Sequence, residues 1–189
     1  MKIISKSNLG SLALPLPIFG TIHIADARGK DGEKFSIFIG LDREMIKQLK
    51  TLSLDESDEE IQKNTSDRKR FGDSLYKNWY SKNRTPFALI HNSTNSLAAL
   101  VWFGPELLKK ESGNWHTVAW RSYPSFRGRG LMKEFIKFAM DIYTKNVPDM
   151  KFWISVKKDN LGSIRLGKFL GFLKSEKISS SNISFIMIK

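Results

Sequence analysis

The segment Pro124-Ser125-Phe126-Arg127-Gly128-Arg129-Gly130-Leu131-Met132-Lys133-Glu134 constrains this chain more than any other stretch of it. An aromatic, strand-like run from Trp115 to Tyr123 leads in, and a helical pattern from Leu131 to Tyr143 leads out. A strand that must become a helix across two glycines puts unpartnered helix amides at the turn and lets the backbone come close to a ligand. The helix dipole adds a preference for an anion, so the segment reads as a phosphate cradle.

Other uses of such a turn fit less well. A dinucleotide fold places its glycines after an early strand, with an acidic residue about twenty positions later at a strand end. Here the cradle lies two-thirds along the chain, and only Asp149 follows at that distance. A Gly-Lys-Ser/Thr phosphate loop is absent. With no Cys and three scattered His (His23, His91, His116), neither a disulfide scaffold nor a metal site is expected. No apolar run is long enough for a membrane span or a signal peptide, which points to the cytoplasm. The net charge of +12 is uneven: residues 1–120 hold 17 basic and 14 acidic side chains, and residues 121–189 hold 14 and 5. Such a basic C-terminal half suits a polyanionic ligand and leaves a nucleic-acid partner or plain surface charge open.

Periodicity supplies the remaining elements. Ile18 to Ala25 and Phe35 to Ile39 alternate as a hairpin around Arg28–Gly32. Asp42 caps a helix to about Leu52, and Ser57 with Glu60 forms a capping box for a second helix over 58–81, broken near Gly72. That helix is expected to bury Phe71, Leu75, Tyr76 and Trp79. Strands follow over Phe87–His91, Leu97–Phe103 and Trp115–Tyr123. After the cradle helix come a strand over Phe152–Val156 and a helix from Asn160 to about Leu170, stopped by Gly171. A hairpin of Leu173–Ile178 and Ile183–Ile188 across Ser179–Asn182 ends the chain. The order predicts an α/β (α+β) fold: one mixed, mostly antiparallel sheet, helices on both faces, and an added N-terminal hairpin. It is read as a single domain over 1–189, with the hairpin in 1–40, two helices in 41–85 and the ligand-binding core in 86–189.

The cradle resembles the acyl-CoA signature of the GNAT superfamily of N-acyltransferases, an Arg or Gln followed by x-x-Gly-x-Gly/Ala. Asn160-Leu161-Gly162-Ser163-Ile164-Arg165-Leu166-Gly167-Lys168-Phe169-Leu170-Gly171-Phe172 is similar to its second signature, about thirty residues on and after one strand. The resemblance covers roughly Pro86 to Lys189. It implies an acetyl-CoA-dependent N-acetyltransferase with no metal, acting by direct attack of a primary amine in a ternary complex. The pyrophosphate would sit on Arg127, Gly128, Arg129, Gly130, Leu131 and Met132. The pantetheine would pair with Trp120, Arg121 and Ser122 and with Asn160, which is equally placed to cap its helix. The backbone N–H of Ser122 would polarise the acyl carbonyl.

The same resemblance exposes two departures. Met132 stands where the family usually has Gly or Ala. Gly167 stands where a Tyr often protonates the leaving thiolate, with Ser122 and Tyr123 the nearest polar groups. For the base, the resemblance points to His116, eleven positions before Arg127, where the histone-acetyltransferase branch carries a Glu. Alternation puts His116 on one strand face with Val118, Trp120 and Ser122, and its ordinary pKa suits the role; a packing role on the strand is the alternative. The acceptor, a small molecule or a protein, is not legible, and a homodimer is open. The alternatives are an acyl-CoA-binding module without turnover and a tRNA- or ribosome-directed acetyltransferase.

Overall fold

The structure is a computed structural model that describes residues 1–6, 10–108, 111–176, 178 and 184–189. The strands are β1 (Lys2–Ser5), β2 (Ile22–Arg28), β3 (Lys34–Ile39), β4 (Thr85–His91), β5 (Ser96–Pro105), β6 (Trp115–Ser122), β7 (Lys151–Lys157), β8 (Leu173–Lys174) and β9 (Ser184–Ile188). They form one sheet in the order β1-β2-β3-β4-β5-β6-β7-β9-β8. Every neighbouring pair is antiparallel except β6 and β7. The N-terminal hairpin is β2–β3, and β1 adds a further antiparallel strand at its edge. The predicted C-terminal hairpin is β8–β9; its turn, Ser179–Asn182, lies outside the described residues.

Helices cover both faces. The cradle helix α4 (Met132–Asn146) buries Phe135, Ile136, Ala139, Met140 and Tyr143, the spacing of one helical stripe. Each large side chain so buried contributes roughly 1.5–3 kcal/mol. Tyr143 stacks on Phe103 of β5 at 4.6 Å between ring centres. The second-signature helix α5 (Leu161–Phe169) lies on the same face, where Gly167 packs against Ile154 of β7 and Met187 of β9. The opposite face carries α1 (Arg43–Leu54), α2 (Glu59–Asn64) and α3 (Tyr76–Tyr80) over a core that includes Leu49, Ile61, Trp79, Leu100 and Trp102.

Residues 58–81 are not one broken helix but three short pieces. α2 ends where Thr65 turns extended and its hydroxyl bonds the carbonyl of Ile61 at 2.9 Å. A π-helical turn, Arg68–Gly72, and α3 follow. Phe71, Tyr76 and Trp79 are buried as expected, but Leu75 is 62% exposed because it precedes α3 in extended backbone. The cap of α2 is Asp58, which accepts from the Ile61 amide at 3.1 Å. Ser57 instead donates its hydroxyl to Asp55 at 2.6 Å.

Candidate functional site

The parallel pair β6–β7 has only three rungs, Trp115↔Lys151, His116↔Phe152 and Thr117↔Trp153. Beyond them β6 stays paired to β5 through Ser122 while β7 diverges towards β9. Backbone groups of a strand point alternately to its two neighbours. The amide of Tyr123 bonds Ala98 on the β5 side, and the carbonyl of Asn114 bonds Lys151 on the β7 side. The even-numbered residues Val118, Trp120 and Ser122 therefore aim their N–H and C=O groups into the gap.

The gap is a cavity of about 370 Å³ that passes through the sheet. Gly128 and Met132 of the cradle, with Asn160, Gly162, Ser163 and Leu166 of the α5 region, wall one side. Glu60, Ile61, Asn64 and Thr65, from α2 and its C-cap, wall the other. A larger hollow of about 750 Å³ lies between α1, the β4–β5 turn and the near side of the cradle. It touches no splayed strand, so the smaller cavity is the candidate site.

The cradle is built as its sequence predicts. Gly128 and Gly130 have φ of 71° and 70°, the left-handed region that disfavours other residues, and a Cβ on either would meet nothing within 4 Å. The demand for glycine is conformational, and the space before each stays clear. α4 begins without a side-chain cap, so its first amides are unclaimed by the protein. That arrangement fits a pyrophosphate. Met132 lines the cavity and packs on the core.

The arginines are already paired within the protein, and Arg127, on the cavity wall, stands 3.4 Å from Glu60. Arg127 donates to the carbonyl of Ser122 at 2.8 Å and to Asp58 at 2.6 Å, a carboxylate whose side chain is 1% exposed. Arg129 turns to the β2–β3 turn, pairing with Asp31 at 2.5 Å and Glu33 at 2.6 Å. Hydrogen bonding from Arg129 holds the Asp31 carboxyl below its ordinary range. Arg121 borders the cavity, but its guanidinium lies buried against Asp67, which also takes Arg70 at 3.0 Å. An anion at the cradle would therefore meet backbone amides more than the side-chain charges the sequence suggested.

The expectation that His116 faces the cleft is not met. His116 sits on a β6–β7 rung and is 6% exposed. Its Nδ1 accepts from the Tyr143 hydroxyl at 2.7 Å and its Nε2–H donates to Asn114 at 3.1 Å. Burial, with Arg84 nearby, pushes its pKa below the ordinary value. Alternation put it on the right face, but it stands before the strands part.

At the thiolate end, a Cβ on Gly167 would lie 3.0 Å from Ile154 Cδ1, so this position faces the sheet and not the cavity. The hydroxyl that α5 brings to the cavity is Ser163, which accepts from Trp120 Nε1 at 3.4 Å. Tyr123 is 2% exposed, burial raises its pKa, and it lies outside this cavity. Asn160 caps α5 by accepting from the Ser163 amide at 3.0 Å and also lines the cavity. Sequence reasoning passed over Ser163, although it stands one turn beyond Asn160. The acidic run 55–60 was open in the sequence as a lure for a cationic acceptor or a solvated helix start, and of that run Glu60 lines the cavity; Asn64 was passed over, since position across the sheet was the missing signal.

Among the described residues no group of three or more His, Cys, Asp or Glu could hold a metal ion, and no helix is long and apolar enough to cross a membrane.

A family model described as an acetyltransferase (GNAT) domain matches residues 30–173. No curated protein matches the sequence. Several solved structures share the fold at low identity. The GNAT domain of PAT from S. lividans is 13% identical, covers 87% of this chain and 94% of its own, and has a TM-score of 0.66. RimL, a ribosomal L7/L12 alpha-N-protein acetyltransferase solved with coenzyme A, is 16% identical over 81% of this chain and 93% of its own, at 0.59. The ribosomal-protein-S5-alanine acetyltransferase of Vibrio fischeri is 12% identical over 81% and 92%, at 0.56.

Proposed function

Because this chain belongs to the GNAT acetyltransferase family, we propose that it moves an acetyl group from acetyl-CoA to a primary amine by direct attack in a ternary complex. The observation that carries the reading is the cavity through the sheet, with the uncapped α4 amides on one side and the acidic α2 on the other. Acetyl-CoA supplies the thioester. Amides of Gly128 to Met132 hold the pyrophosphate, and the cleft-facing backbone of Val118, Trp120 and Ser122 pairs with the pantetheine amides. The Ser122 N–H is the donor placed to polarise the carbonyl.

Attack needs a neutral amine, and Glu60 is the one carboxylate on the cavity wall among the described residues. It takes the proton through solvent. Ser163 donates to the sulfur as the C–S bond breaks. The side chain absent at Gly167 is then no obstacle to turnover, which disfavours a module that only binds. His116 becomes a packing residue beneath Tyr143.

The test is calorimetry with acetyl-CoA followed by thiol release with a panel of primary amines. Binding that strengthens turnover of one amine class supports the reading; no acetyl-CoA binding removes it. The two ribosomal-protein acetyltransferases of similar fold make N-terminal peptides a rational part of the panel.

A further inference from the structure

The side-chain carbonyl oxygen of Asn64 is buried and accepts no hydrogen bond from the protein. It lies on the wall of the through-sheet cavity, beside Glu60 and Thr65. A buried acceptor without a donor is costly, and its persistence in a cleft needs a reason.

Its setting defines what it can meet. Asn64 ends α2, whose Ile61 belongs to the core opposite α4 and α5. It is therefore across the sheet from α4 and α5. α2 is fastened at both ends. Asp58 takes Arg127 at 2.6 Å; Lys63 pairs with Asp159 at 2.7 Å, and the Lys63 carbonyl takes Lys157. The amide is consequently held on the α2 wall of the cavity and does not swing with a loose loop.

We propose that Asn64 is the positioning residue for the acceptor: its Oδ1 accepts an N–H from the attacking primary amine. This rests on the acetyl-transfer reading above. A neutral carbonyl suits the step better than a carboxylate would. It fixes one N–H and leaves the nitrogen lone pair free for the acyl carbon. As the C–N bond forms, the nitrogen becomes cationic and the bond to Oδ1 strengthens, so the contact favours the transition state. The nitrogen then loses one proton to Glu60 through solvent, the C–S bond breaks, and the thiolate leaves under a hydrogen bond from the Ser163 hydroxyl, which keeps its proton, and is protonated from solvent. Glu60, one turn earlier on the same helix, keeps a partly exposed carboxylate on the cavity wall, with Arg127 3.4 Å away. The acceptor class that follows is an unbranched primary amine narrow enough to reach Asn64, with N–H groups to spend on a neutral oxygen.

Two probes test this without knowledge of the natural acceptor. In the CoA-saturated protein, methylammonium is expected to shift the Asn64 side-chain amide resonance. Tetramethylammonium, which has no N–H, is expected to leave it. In turnover with acetyl-CoA, Asn64→Leu is expected to lower kcat/KM for methylamine about ten- to hundredfold, with the KM for acetyl-CoA within about twofold. Asn64→Asp, nearly the same shape, is expected to move the pH–rate profile upward, because a carboxylate holds the amine protonated. Equal methylamine turnover by Asn64→Leu, or identical responses to the two ammonium ions, overturns the proposal. Failure of the native chain to bind acetyl-CoA overturns the acetyl-transfer reading itself, and this proposal with it.

Discussion

Removing Asp67 and Arg121 together should cost far less stability than the sum of removing each alone. The Asp67 side chain is 1% exposed and that of Arg121 is 11% exposed. Asp67 receives Nε and Nη2 of Arg121, and Nη1 of Arg70 at 3.0 Å. Asp67→Ala therefore strands a buried guanidinium beside the cleft strand, and breaking such a pair costs about 3–5 kcal/mol. Arg121→Met leaves the buried carboxylate with Arg70 alone and should cost about 3 kcal/mol, the lower end of that range. The double variant strands neither: Arg70 is left without Asp67 but keeps access to solvent. Its cost should fall well below the sum, with a coupling of at least about 2 kcal/mol. With a urea slope near 2–3 kcal/mol/M, each single variant should lower the midpoint by about 1–2 M. Urea unfolding of all four proteins, with circular dichroism and fluorescence run in parallel, measures the cycle. Effects that add to within about 0.5 kcal/mol would refute the buried-pair reasoning.

Other outcomes follow from the same geometry. Gly128→Ala forces a side chain into the left-handed region at a cost of about 1–2 kcal/mol, lowering Tm by roughly 2–8 °C. It should also weaken acetyl-CoA binding by calorimetry, since the added methyl stands in the cleared space. Ser163→Ala should lower kcat about 10²-fold while acetyl-CoA affinity changes little, which single-turnover kinetics can separate from binding. His116 is held neutral in the fold, so between its depressed folded pKa and the ordinary 6.5 the unfolded chain binds more protons. Its contribution should be whole above about pH 6.5 and lost as acid passes through the folded value. Urea midpoints at pH 5 and 7.5 should differ more for the native chain than for His116→Gln.

The fold was legible because its signals are local. Strand alternation, the Asp42 cap, the glycines of the cradle and the Asn160 start of α5 each depend on a few neighbouring residues, and each lies where the sequence places it. The segment 58–81 was not, since its helical spacing says nothing of Thr65 bonding back to Ile61 or of the π-helical turn after it. Side-chain partners were least legible. Arg127 meets Asp58 and Arg121 meets Asp67 across 69 and 54 positions, and no window of sequence contains both members. His116 shows the limit of periodicity: alternation assigns a face, but the residue at which two strands part is decided by pairing.

The three rungs between β6 and β7 act as the spine of a book, with β1–β6 as one leaf and β7–β9 as the other. The opening between the leaves is then governed by the spine and not by the residues printed on the pages. One further rung would extend the binding edge by about 3.3 Å and shorten the slot by as much. Changes at Trp115, His116 and Thr117, none of which lines the cavity, would therefore retune which molecules fit, from a position that no ligand contacts.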